Sequence, residues 1–156
     1  MPYTLFGLPT HILLIHAAVV ALPVACLATI AIAARAPWRR RFGLPVAGFA
    51  VLMVPLTWAT ELAGYQLFNH ATFLQAAAAH HRALGRTLVW FVAVMAVTAV
   101  LLVIADRVGF ADHHAVMVGI AGLAIAASAV CAVRVVQVGD SGSRANWSGV
   151  VSTTRR

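Results

Sequence analysis

Two histidines stand at the start of the first long apolar run, in the segment His11-Ile12-Leu13-Leu14-Ile15-His16. An imidazole nitrogen buried in hydrocarbon needs a partner, because leaving it without one costs several kcal/mol. On a helix, residues five apart project about 140° from each other and are separated by about 7.5 Å along the axis. The two rings are therefore poorly placed to hold one small ion together, but each can reach a ligand that is shared with another helix.

A b-type haem takes axial histidines of this kind from separate helices. We expect His16 and His81 to be the ligands, with His11 as the third candidate. His80 and His81 are adjacent, so on a helix they point about 100° apart and at most one of them faces the bundle interior. Two alternatives stay open. In the first, His11 is an interfacial ring that bonds to water or to a lipid headgroup. In the second, His16 is a neutral ring that bonds to a backbone carbonyl or to Glu61.

Three charged residues complete the candidate site. Glu61 is the only glutamate of the chain and lies just inside the end of an apolar run. Ionisable groups within membrane spans cost about 2.5 kcal/mol or more and usually mark function. Arg86 and Arg134 each lie about one turn inside the end of a run, where they either snorkel to the surface or contact a carboxylate or a haem propionate. We expect Glu61, Arg86 and Arg134 to bind the cofactor.

Other chemistries are excluded or disfavoured by the residue inventory. A single glutamate excludes a di-iron carboxylate site, and the sequences H-E-x-x-H and C-x-x-C-H are absent, which argues against a zincin and a covalent haem. No G-x-S-x-G suggests a hydrolase. Cys26 and Cys131 each lie in the middle of an apolar run and are expected to be inert packing residues. Electron transfer is a better expectation than hydrolase or transferase chemistry, although enzymatic activity stays open.

The composition is that of a membrane protein. Of 156 residues, 62% are hydrophobic and 10% are charged, whereas soluble domains carry about 25% charged residues. Four apolar runs, about 13–34, 44–62, 85–105 and 115–138, approach or exceed the roughly 20 residues that span a bilayer. We predict an all-α, four-helix integral membrane bundle over residues 1–147, followed by a flexible tail over 148–156.

Topology and charge suggest a location. Four spans bring the N-terminus, the second connection and the C-terminus to one side of the membrane, together with five of the seven histidines. The first connection holds four arginines within residues 35–41, which predicts that it is cytoplasmic and that both termini lie outside the inner membrane. The second connection, about 63–84, is alanine-rich in part and is expected either to lie at the interface or to extend the third span. The arginines flank apolar runs and form no stripe with aromatics, so nucleic acid is not an expected partner.

Three motifs resemble a known family. The segment from Leu8 to His16 resembles the opening L-P-x-H-P-L-L-V-H of the bacterial DUF2231 membrane proteins, and the segment from His81 to Gly85 resembles their H-x-x-L-G. The segment from Val138 to Trp147 resembles the G-[HD]-S-G-A-[KR]-A-x-W element of actinobacterial members. The departures are Ile12 for proline, Asn146 near the last tryptophan, and Asp140 where many members carry histidine. The resemblance implies a four-helix membrane protein, and relatives fused to Rieske or cytochrome-c-type domains imply a redox setting.

Three functions follow as hypotheses. The first is a membrane-embedded protein that binds haem b and transfers electrons near the outer leaflet, with a quinone or a redox protein as partner. The second is a non-catalytic accessory or assembly subunit of a larger respiratory complex. The third is a proton or metal permease built on His16 and Glu61, which four spans without an internal repeat make less favourable. The electron donor and acceptor, and assembly as a homo-oligomer or within a larger complex, stay open.

Overall fold

The computed structural model describes residues 4–70, 75–109 and 113–154. Its architecture is four long helices preceded by a two-residue β-hairpin. The elements are β1 (Thr4–Leu5), β2 (Leu8–Pro9), α1 (Thr10–Ala34), α2 (Ala36–His70), α3 (Gln75–Arg107) and α4 (His114–Thr154). All four helices are long and apolar enough to cross a membrane, so the predicted all-α four-helix membrane bundle is confirmed.

The helices form an antiparallel ring. Each of α1, α2, α3 and α4 packs against its two neighbours, and α1 and α3 barely touch across the centre. Large apolar side chains cover the outside, for example Val20, Leu27, Trp90 and Val136. A soluble protein rarely exposes so much contiguous apolar surface, and a bilayer solvates it. The interior contains small residues and a few larger ones, with a fully buried layer around Leu22, Val92 and Met95.

The helices continue beyond the apolar runs. Helix α2 extends to His70 and α3 begins at Gln75, so the alanine-rich part of the second connection extends the third span. Helix α4 continues to Thr154, through residues for which the sequence predicts a tail. The physical reason is that a loss of hydrophobicity marks where a helix leaves the bilayer, whereas backbone hydrogen bonding continues into the aqueous layer.

A buried ion pair joins three helices at the end of the bundle opposite His11 and His81. Arg39 Nε donates to Asp106 Oδ1 at 2.8 Å, and the two side chains are only 10% and 4% exposed. Arg39 Nη1 also donates to the carbonyl of Ile32 at 3.3 Å. The sequence groups Arg39 with the other arginines of the first connection. The structure instead buries it, and the first connection reduces to Arg35 alone between two helices.

Candidate cofactor site

Two histidines from different helices meet at one end of the bundle. His11 lies in the first turn of α1 and His81 in the second turn of α3. Their ring centres are 6.4 Å apart and their planes are inclined at 66°, and both side chains are half-buried. The structure therefore brings together two of the three histidines that the sequence nominates as ligands.

Each ring is oriented by a backbone carbonyl of another helix. His11 Nδ1 lies 2.9 Å from the Thr60 oxygen on α2. His81 Nδ1 lies 3.1 Å from the Val138 oxygen on α4 and 3.1 Å from Ser141 Oγ, and Ser141 Oγ donates to the same carbonyl at 2.8 Å. A carbonyl only accepts, so Nδ1 carries the hydrogen in both rings. In the neutral rings Nε2 then holds a free lone pair, which is the arrangement that metal-ligating histidines commonly use.

A helical glycine lies against each imidazole. A Cβ atom built on Gly64 of α2 would lie 2.9 Å from Cε1 and 3.0 Å from Nδ1 of His11. A Cβ built on Gly142 of α4 would lie 3.0 Å from Cε1 and 3.1 Å from Nδ1 of His81. Real Cβ contacts are rarely this short, so only glycine, which has no side chain, allows the imidazole to lie this close at either position. Glycine lowers the stability of a helix interior by about 1 kcal/mol relative to alanine, which the close approach of the ring offsets.

Two cavities adjoin the histidine pair. The larger has a volume of about 400 Å³ and opens between α2 and α3, and the smaller, of about 90 Å³, extends into the bundle interior. Both are lined by His11, Glu61, His81 and Gly85. The larger volume lies within the roughly 300–1,000 Å³ typical of small-molecule sites. The histidine pair therefore stands between two spaces rather than in a packed core.

Charged residues line the larger cavity. Arg82 is half-buried, with its guanidinium 5.0 Å from the ring centre of Tyr65 and 4.5 Å from that of Phe68. Arg86 lines the same cavity and is exposed. Glu61 is half-buried, borders both cavities, and forms no ion pair with any residue in the described part of the chain. The cavity thus offers two cations and one carboxylate around a largely apolar surface.

The structure leaves other nominated residues outside the site. His16 is exposed, and its Nδ1 lies 2.6 Å from the carbonyl of Ile12 in its own helix, which agrees with the alternative of a ring bonded to a backbone carbonyl. Arg134 lies over the ring of Phe91 at 4.7 Å and donates to Gln137 at 3.3 Å, and it lines neither cavity.

Two further residues at the same end of the bundle, His80 and Asp140, lie outside the histidine pair. His80 is exposed while His81 is half-buried, as expected for adjacent helical positions. Asp140 is exposed and forms an i,i+4 ion pair with Arg144 at 2.9 Å. Neither residue contributes to the cavities described above.

Sequence reasoning missed the groups that orient the imidazoles. Gly64 follows Glu61 by three residues, which places the two on one helix face, and this spacing could have indicated it. Gly142 and Ser141 lie in the motif Gly139-Asp140-Ser141-Gly142, in which the family resemblance singles out only Asp140. The carbonyls of Thr60 and Val138 have no sequence signal, because every residue has one.

The fold and site together define an integral membrane protein of four helices with an interhelical histidine pair at one end. The family model described as a predicted membrane protein (DUF2231) matches residues 7–155. The chain therefore belongs to the DUF2231 family, and the resemblance noted from its motifs is confirmed at the level of the family. No curated protein and no solved structure matches the chain.

Proposed function

We propose that the protein binds one haem b between His11 and His81 and transfers electrons near the outer leaflet of the bilayer. The observation that carries the proposal is the separation of the two rings. Metal–imidazole bonds of about 2 Å, with about 1.1 Å from each nitrogen to its ring centre, separate two in-line axial rings by about 6.3 Å. The ring centres here are 6.4 Å apart, which agrees with that spacing, and the ring planes are inclined at 66°. Coordination of one iron requires Nε2 of each ring to face it.

The tautomers support the same assignment. Both rings donate Nδ1–H to a carbonyl on a neighbouring helix, which leaves Nε2 as the ligating atom and raises its basicity. His16 and His70 also bond a carbonyl through Nδ1, but that carbonyl belongs to their own helix four residues earlier. The interhelical bonds of His11 and His81 therefore distinguish this pair from the other histidines with such contacts, and we replace His16 by His11 as the partner of His81.

The cavities favour a macrocycle over a bare ion. The described residues contain no group of three or more histidine, cysteine, aspartate or glutamate side chains that could hold a metal, so a small cation would lack further protein ligands. A porphyrin supplies four nitrogen ligands itself and needs apolar space around the iron. The larger cavity has mainly apolar walls, and Arg82 and Arg86 on its border are suited to bind propionates. Arg82 thus takes the role that the sequence assigned to Arg134.

When bound, the haem supplies reversible one-electron chemistry. The protein's part is to hold the ring nitrogens, to exclude bulk water with the apolar walls, and to balance the propionates with arginine. The exposed residues Arg35, Arg40 and Arg41 lie at the opposite end of the bundle from the histidine pair, which favours that opposite end as the cytoplasmic one and the end with the histidine pair as the outer one. We infer a carrier that exchanges electrons between a membrane quinone and a redox protein on that face.

Absorption spectroscopy of the purified full-length protein tests the proposal. The wild-type protein, purified or reconstituted with haem, should give a low-spin spectrum with one haem per chain and a bis-histidine haemochrome. H11A and H81A should each lose haem or become high-spin, whereas the matched controls H16A and H80A should bind it as the wild type does. A protein that binds no haem, or that binds it equally well in H11A/H81A, would refute the proposal. Co-purification of a colourless protein with a respiratory complex would favour the accessory-subunit hypothesis instead.

A further inference from the structure

The end of the bundle opposite the histidine pair carries an excess of positive charge. The first and third connections, with the helix turns beside them, contain five arginines and two aspartates, Asp106 and Asp112. Asp106 is bound to Arg39, and Asp112 lies outside the described residues. The other four arginines are exposed and form no ion pair within the described part of the chain: Arg35, Arg40, Arg41 and Arg107. This end of the bundle therefore attracts anions.

Two of these arginines lie on aromatic rings at the start of α2. The guanidinium carbon of Arg35 is 5.1 Å from the ring centre of Trp38, and that of Arg41 is 5.2 Å from the ring centre of Phe42. Stacking on a ring uses the flat face of a guanidinium and none of its N–H donors. Over the described residues, the guanidinium hydrogen bonds at this end are all made by Arg39. Arg35 and Arg41 therefore keep their donors available to an anion.

The aromatic pair continues into an apolar face of α2. Alternating four- and three-residue intervals place five apolar side chains along one side of the helix: Trp38, Phe42, Pro45, Phe49 and Leu52. All of them are exposed except Phe49, which is half-buried. Arg39 is turned by about 100° from Trp38, and its buried bond to Asp106 fixes the rotation of the helix, so that this apolar face is held against the bilayer.

We propose that Arg35, Trp38, Arg41 and Phe42 form a binding site for an anionic phospholipid. Clusters of basic residues beside a membrane span bind anionic headgroups, and guanidinium groups bind phosphate oxygens in particular. Tryptophan is favoured at the boundary between bilayer and water, and Trp38 and Phe42 are 46% and 45% exposed. The acyl chains of the lipid then lie along the apolar face of α2.

The positions of the two cations favour a headgroup with two phosphates. Arg35 comes three residues before Trp38 and Arg41 three residues after it, so the cations flank the indole on the chain. One phosphate cannot balance two guanidinium charges, whereas the two phosphates of a diphosphatidylglycerol can. The expected order of affinity is therefore diphosphatidylglycerol, then phosphatidylglycerol, then the zwitterionic phosphatidylcholine.

Native mass spectrometry of the full-length protein in detergent, with these three lipids carrying the same type of acyl chain, tests the proposal. R35Q/R41Q should weaken the binding of diphosphatidylglycerol by about 25-fold, because each basic residue beside an anionic membrane contributes about fivefold. The matched control R40Q/R107Q removes the same charge from exposed positions of the same end that lie outside the site. It should weaken binding by less than about fivefold.

Equal losses in R35Q/R41Q and R40Q/R107Q would show that only the overall charge of this end matters, and would overturn the site. Equal affinity of the wild-type protein for the three lipids would also overturn it, and this measurement needs no variant. Displacement of the lipid by millimolar glycerol 3-phosphate would indicate a site for a soluble phosphate ester instead, which contradicts the proposal. The histidine pair lies at the other end of the bundle, so none of these outcomes bears on whether it binds haem.

Discussion

The glycines behind the imidazoles give the most direct test of the cofactor site. In G64A the new methyl would lie 2.9 Å from His11 Cε1, whereas ordinary contacts of this kind begin at 3.4 Å. The ring must therefore move by about half an ångström. The bond from His11 Nδ1 to the Thr60 oxygen is 2.9 Å long, and such a movement takes it beyond the roughly 3.2 Å limit of a good hydrogen bond.

The expected consequence is a loss of haem affinity without a loss of fold. Groups that orient metal ligands typically contribute about 10–100-fold to metal affinity, so G64A should weaken haem binding by that factor. G142A should act similarly on His81, since its methyl would lie 3.0 Å from Cε1. Helix stability should not fall on backbone grounds, because alanine is a better helix former than glycine by about 1 kcal/mol.

Haem titration followed at the Soret band, together with thermal unfolding in detergent, separates these effects. The matched controls are G48A on α2 and G122A on α4, where the added methyl meets nothing within 4 Å. Both controls should bind haem as the wild type does. If G64A and G142A bind haem with unchanged affinity and unchanged spectra, the argument that the glycines position the axial rings is wrong.

Three further predictions concern the ion pair, a buried hydroxyl and the serine beside His81. D106A should lower the free energy of unfolding by about 3–5 kcal/mol, because it leaves the Arg39 charge buried and unpaired, and unfolding by denaturant in micelles measures this; an effect under 1 kcal/mol would contradict the burial. T29V should leave the free energy of unfolding unchanged or raise it by about 1 kcal/mol. Thr29 Oγ1 is buried without a hydrogen-bond partner in the described structure, and valine keeps the shape of the side chain. A lower melting temperature would show that the hydroxyl has a partner. S141A should reduce haem affinity by no more than about tenfold, because the Val138 carbonyl still accepts from His81; loss of all haem in the same titration would show that the hydroxyl is the main acceptor.

Some of the site was predictable from the sequence. The place of His11 just before the first span, of Glu61 just inside the end of the second and of His81 at the start of the third all follow from hydropathy and spacing. The preference for His16 over His11 did not match the geometry, because depth along a helix says nothing about rotation around its axis. With almost no hydrophobic asymmetry around α1, the sequence offers no signal for which face turns inward.

The sequence by itself determined the number of helices, their membrane location, the family, and the end of the bundle at which most histidines gather. These features depend on the length and order of the apolar runs and on short motifs, all of which can be read along the chain. Only the tertiary structure decided that His11 meets His81, that Gly64 and Gly142 lie against their rings, and that Cys26 contacts Met95. Those contacts depend on the rotation and axial register of each helix relative to its neighbours, and packing between helices sets both.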